Sequence, residues 1–179
     1  MKQATRLNLY RALVKSILLY NCGTWSLTKQ EEHKLNTFHR RQLRTVLNIK
    51  YPTVIKNKTL YQKTGEVPIS LTILEARWIF FGNILRQDIN TPSNVTMLKY
   101  FTTEGNKRRG WPRTSIATTL RHDLKSHNTG HWPTRLHSKR DLQNLRTVAQ
   151  NRREWKQMTS AIYASAQAET SNDAPADGH

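Results

Sequence analysis

Apolar residues recur three and four positions apart along most of the chain, a spacing that predicts helices. From Arg6 to Tyr20 the residues Leu7, Tyr10, Leu13, Val14, Ile17 and Leu18 fall on one helical face. Asn21, Cys22 and Gly23 interrupt the pattern. A second helix is expected from Thr28, because Thr28 and Glu31 have the spacing of a capping box. Its buried stripe is Leu35, Phe38, Leu43, Val46 and Leu47, with Arg40, Arg41 and Arg44 on the opposite side. Pro52 marks a break soon after. Asn57 to Gly65 reads as a short helix or a turn-rich connection. Pro68 and Ser70 lead into a strong helix, in which Leu71, Leu74, Trp78, Phe81 and Leu85 form a seam for packing against another helix.

The second half is more broken. Asp88 to Asn94, with Pro92, reads as a loop. Glu104 to Arg113 has no apolar period and is expected to be an exposed basic loop. Ile116, Leu120 and Leu124, four apart, mark another helix, and Asn128 to Pro133 breaks the chain again. Ser138 and Asp141 can cap a helix through Leu142, Leu145 and Val148. Helix continues or restarts at Asn151, with Trp155, Met158 and Ile162 inward. From about Ala164 the chain is rich in Ala, Ser, Asp and Gly and is expected to be a disordered tail. No internal repeat and no strand pattern emerges. The fold class expected is mainly α, with Trp25, Trp78, Phe81 and Trp155 as core anchors.

Charge changes this picture more than overall composition does. The 179 residues suffice for one domain or two small ones, and the 36% hydrophobic content fills a modest core. Lys and Arg number 29 against 12 acidic residues, a formal net charge of +17. Such a surface gains by meeting a polyanion, since phosphate contacts release condensed counterions. The cations recur along most of the chain, which suits several phosphate-facing elements better than one flexible arm. Cys22 is the single cysteine, so one copy can form neither a disulfide nor a cysteine-based zinc site. The longest apolar stretch, Ala12 to Tyr20, contains Lys15 and Ser16 and is too short to span a bilayer. No signal-peptide pattern opens the chain. An intracellular protein, nuclear or cytoplasmic, is expected, with no membrane partner.

Five blocks together resemble the region that follows the reverse transcriptase palm in LINE-like, non-LTR retrotransposons. The first runs from Leu9 to Tyr20 and on through Asn21, Cys22, Gly23, Thr24 and Trp25. The second is Leu35 to Arg44, with Phe38, Arg40 and Arg41. The third is Arg77 to Arg86, with Trp78 and Gly82. The fourth is Lys107 to Arg113, leading to Asp123 and Leu124. The last is Ala149 to Trp155. Their order and spacing hold from about residue 5 to 160. The departures are Asn83 for a His, Trp111 for the Arg of a Gly-Arg-Pro, Ile116 for a Trp, and Asn21 and Thr24 for a Gly and a Glu. The resemblance implies that residues 1–58 form thumb-like helices and 59–163 a helical C-terminal extension carrying the basic loop 104–113. The disordered tail 164–179 would follow. It also implies contact with template RNA or target DNA, and the polymerase palm and fingers as a possible protein partner.

Polymerisation needs paired carboxylates holding two metal ions. The chain has no Asp-Asp dipeptide, and Asp88, Asp123 and Asp141 are solitary. No catalytic residue, metal ligand set or cofactor is therefore expected. His127, His131 and His137 lie among Gly130 and Pro133 and read as loop histidines.

The candidate nucleic-acid-binding residues are Lys107, Arg108, Arg109, Trp111 and Arg113 in the loop, and Arg40, Arg41 and Arg44 on the second helix. Three consecutive cations beside Gly110 can follow a phosphate backbone or enter a narrow minor groove. Trp111 can stack on an unpaired base, worth roughly 1–3 kcal/mol, or pack on the core. Lys139, Arg140, Arg146, Arg152 and Arg153 are weaker candidates. The leading expectation is a non-catalytic nucleic-acid-binding unit. The competing ones are a functionless retroelement remnant and a helical protein-interaction module using the seam from Leu71 to Leu85.

Overall fold

A computed structural model describes residues 2–102, 114–126, 136 and 138–172, with the side chains of residues 100, 102 and 170–172 left aside. The described residues are mainly helical and contain no strand, as the periodicity predicts.

The chain opens with α1 (Gln3–Leu9), a π-helical stretch (Tyr10–Lys15) and α2 (Ser16–Leu18). This stretch departs from the expected stripe. Tyr10 is buried and Leu7 and Leu18 are half-buried, but Leu13 and Ile17 are 58% and 74% exposed and Val14 is exposed as well. The π-helical stretch bonds five residues ahead instead of four. Side chains beyond Tyr10 therefore leave the face that a 3.6-residue period assigns them. Asn21 turns the chain with φ 54°, and a 3-10 turn (Cys22–Thr24) leads on.

Helix α3 (Lys29–Val46) starts on the predicted capping box. The amide of Thr28 donates to Oε2 of Glu31 at 2.7 Å, and the amide of Glu31 donates to Oγ1 of Thr28 at 3.3 Å. Its buried face differs by one position from the expected stripe. Leu43 is fully buried, yet Phe38 is exposed and His39 takes the inward place. Helix α4 (Asn57–Thr64) ends on Gly65 at φ 63°, a left-handed C-cap that glycine adopts without a β-carbon clash. Leu60 of α4 packs with Tyr10 and Leu43, so the boundary expected after residue 58 cuts through a packed helix.

Helix α5 (Ile69–Arg86) is buried on nearly all sides. Ile69 and Ile73 join Cys22 in one small core, and Gly23 backs onto the same helix, where a β-carbon would meet the Ala76 carbonyl oxygen at 2.8 Å. Trp78, Phe81 and Leu85 enter the main core, formed with α7 (Ile116–Ser126), α8 (Lys139–Gln150) and α9 (Arg152–Asn172). The seam from Leu71 to Leu85 is thus the chain's own interior and is closed to a partner.

Two expectations are overturned. Residues 92–102 form a helix, α6 (Pro92–Thr102), beginning inside the expected loop. Pro92 opens α6 at a position where its missing N–H costs nothing, so it starts a helix instead of breaking one. Over 164–172 the expected tail is instead helical within α9, with Ala166 packed in the main core, while 173–179 lie outside the described residues. Alanine's high helix propensity and that contact outweigh the polar composition. The restart at Asn151 occurs as expected, with Trp155, Met158 and Ile162 buried.

Candidate nucleic-acid interface

The three candidate arginines of α3 differ in surroundings. Arg41 is exposed, and its carbonyl accepts from the Thr45 hydroxyl. Arg44 is half-buried and clamps the connection to α4, donating through Nη2 to Oδ1 of Asn57 at 2.7 Å and to the Ile55 carbonyl at 3.5 Å. Arg40 is also half-buried, donates to Oγ1 of Thr37 at 3.0 Å, and lies near Tyr61. Burial pushes the Tyr61 phenol up, against the opposing charges of Arg40 and Arg44. Arg40 and Arg44 are therefore engaged within the fold, and Arg41 is exposed.

Lys107, Arg108, Arg109, Trp111 and Arg113 lie outside the described residues, as do His127, His131 and His137. The basic segment joins α6 to α7, whose Phe101 and Ala117 are both buried in the main core. Among the described residues no group of three His, Cys, Asp or Glu side chains could hold a metal ion. None of the described helices is long and apolar enough to cross a membrane.

Five of the acidic side chains are engaged within the fold. Glu66 is buried and bridges Nε of Arg11 and Nζ of Lys15, each at 2.6 Å. Burial alone would raise its carboxyl, but the Lys15 and Arg11 bonds outweigh that and hold it below the usual range. Beside it, Nδ1 of the fully buried His39 lies 2.6 Å from the Tyr10 hydroxyl, and Nε2 lies 3.8 Å from Glu66. Burial lowers the His39 pKa to about 4, with Glu66 opposing, so the ring is neutral at pH 7. Burial likewise pushes the Tyr10 phenol up to about 12. Asp123 on α7 accepts from Nη1 of Arg77 on α5 at 2.8 Å, and both are buried. Glu31 and Asp141 close capping boxes, and Oδ1 of Asp88 accepts the Asn90 amide.

Other cations meet neutral partners. Arg121 donates to the carbonyls of Leu136 and Phe101, at 2.6 and 3.0 Å, and lies over the Phe101 ring at 5.5 Å. Arg86 donates to Oδ1 of Asn83 at 2.6 Å and to the Ala149 carbonyl; burial and the charge of Arg152 hold it below its ordinary range. Arg152 and Arg153 are exposed at the start of α9.

A cleft between α6 and α8, about 390 Å³ in volume, collects Lys139, Arg140 and Arg146 with Asn94, and has no carboxylate in its lining. Only weak sequence signals pointed to these cations. The buried Asn94 that holds Arg146 carries none, because it closes the loop expected over Asp88 to Asn94.

Comparisons with protein-family models, curated proteins and solved structures find no match to this chain.

Proposed function

We propose that this chain is a non-catalytic nucleic-acid-binding unit of the kind that follows the palm in non-LTR retrotransposon reverse transcriptases. The observation that carries the reading is the division of charge. The buried carboxylates Glu66 and Asp123 pair with Arg11, Lys15 and Arg77, and Glu31, Asp88 and Asp141 serve caps and a turn. Among the described residues Arg77 is the only buried cation, and the exposed Glu75 and Glu169 offset few of the others, so a cationic excess faces water, the arrangement that phosphate binding by counterion release requires.

The resemblance itself gains support from contacts between its blocks. Tyr10 of the first meets His39 of the second. Gly23 of the first backs onto α5, which carries the third. Arg77 of the third pairs with Asp123 at the end of the fourth. Gly82 of the third lies against Trp155 of the fifth, where a β-carbon would stand 2.6 Å from Cε2.

The test is binding of the purified chain to labelled single-stranded RNA and to duplex DNA across a salt series. A variant with Lys107, Arg108 and Arg109 changed to Ala runs in parallel. The expected result is a steep salt dependence whose logarithmic slope falls by roughly 2 to 3 in the variant on duplex DNA. Absence of binding by the parent at physiological salt sinks the reading and leaves the functionless remnant. A variant that binds like its parent sinks the loop's part in it.

A helical docking module remains a second reading on one observation, the exposed apolar row Leu13, Ile17 and Tyr20 along the first helical stretch.

A further inference from the structure

The α6–α8 cleft has the features of a built anion site. Lys139 and Arg140 occupy the first turn of α8, the positive end of a 12-residue helix, where cations are disfavoured. The Asp141 carboxylate in that turn accepts the Ser138 amide at 3.0 Å, as part of the cap. Arg146, one face along, is held by neutral groups. Its Nη2 donates to Oδ1 of Asn94 at 2.5 Å and its Nη1 to the Gln87 carbonyl at 3.4 Å.

Asn94 is buried and cannot swing away, because its Nδ2 donates to the carbonyls of Ile84 and Asp88, at 2.8 and 2.9 Å, with the Gln87 carbonyl also in reach at 3.2 Å. That fixes Oδ1 towards Arg146. The asparagine thus orients a guanidinium without neutralising it, and none of the three cations forms an ion pair among the described residues. A fold that gathers three uncompensated cations around one cleft sacrifices stability locally unless an anion completes it.

The rest of the lining is the amide side chains of Asn94, Gln143 and Asn144 and three aliphatic residues. Leu98 and Leu142 form the wall, and Ile89, 52% exposed, stands at the lip. The volume of about 390 Å³ falls in the range of small-ligand sites. An anion with a flat apolar body fits this pairing of a cationic rim and an aliphatic wall.

Resting on the nucleic-acid reading above, we infer that the α6–α8 cleft seats one unpaired nucleotide of a nucleic-acid strand. The phosphate meets Lys139, Arg140 and Arg146, and the base lies against Ile89 and Leu98. The cleft therefore favours single strands over blunt duplex, whose bases are stacked and paired.

The experiment measures the affinity of the full chain for a labelled single-stranded RNA and a blunt DNA duplex at fixed physiological salt. Three variants accompany the parent: Lys139→Ala with Arg140→Ala, Ile89→Ser, and Lys50→Ala with Lys58→Ala. The last removes two exposed cations outside the cleft. Thermal melts establish that each variant is folded.

The cleft pair is expected to weaken single-strand binding at least ten-fold. The Ile89 change should weaken it several-fold and spare the duplex. The distant pair should cost less than three-fold. Equal losses from the cleft pair and the distant pair would overturn the inference in favour of diffuse charge. So would a polyglutamate that displaces the RNA as well as unlabelled RNA does, in favour of an acidic protein ligand. A parent that binds RNA and duplex DNA, with cleft variants that match it, overturns the cleft alone. A parent that binds neither overturns the cleft and the nucleic-acid reading together.

Discussion

Arg77 and Asp123, 46 residues apart in sequence, are a buried ion pair linking α5 and α7. Taking both charges from water is costly, and their attraction roughly offsets that cost; removing one partner leaves the other charge stranded. Asp123→Ala is therefore expected to destabilise the chain by about 3–5 kcal/mol in urea unfolding. The double change Arg77→Met with Asp123→Leu should recover most of the loss. A single variant as stable as the parent would mean that the two side chains do not meet. The pair is not legible in the sequence. Both residues lie in family-like blocks, but a solitary Asp in an amphipathic helix carries no sign of its partner. Gly82 is similar: its position is visible, while the reason for it, the Trp155 ring against α5, exists only in three dimensions.

At the scale of elements, legibility followed locality. The Thr28–Glu31 and Ser138–Asp141 boxes are closed within four residues, so their spacing alone located the starts of α3 and α8. The inward residues of α7 and α9 were read from the 3.6-residue period, which a straight helix obeys. The same period failed where the helix changes type. Past Tyr10 the π-helical stretch leaves Leu13, Val14 and Ile17 in water. It failed again at Pro92, where a residue that ends helices also begins them. The exposed row gives a direct prediction: Ile17→Lys should change unfolding free energy by less than about 0.5 kcal/mol, the usual range for surface positions. It should also reduce any self-association seen by sedimentation. A loss of several kcal/mol would place Ile17 in a core, as the uniform period demanded.

For the whole molecule, the group around Glu66 ties the first helical stretch to α3 and to the end of α4, and it makes stability depend on pH. Arg11 and Lys15 come from one side and His39 from the other, with Tyr10 bonded to the imidazole. Arg11 also donates to the Thr64 carbonyl at 2.9 Å. The folded His39 has a pKa of about 4, against 6.5 for an ordinary histidine. Above pH 6.5 the ring is neutral in both folded and unfolded chains, and its burial carries no protonation penalty. As pH falls from 6.5 towards 4, the unfolded chain takes up a proton that the folded chain refuses, so stability drops through that window. Glu66 acts in the same direction at lower pH. Its folded carboxyl is held below the ordinary range, so the stability it supplies is lost as it becomes protonated. Urea unfolding at pH 7, 6 and 5 should therefore give a falling free energy, and His39→Gln should flatten the decline between pH 6.5 and 5. An unchanged decline in that variant would assign it to other histidines. Sequence reasoning could not reach this cluster, because His39 lies on a helix whose expected buried stripe passes one residue to its side, through Phe38. Only the packing of α4 against α3 turns the histidine inward and brings Glu66 beside it. The same packing sets a buried carboxylate between Arg11 and Lys15, so the contacts that hold the first helical stretch in place are those that pH weakens.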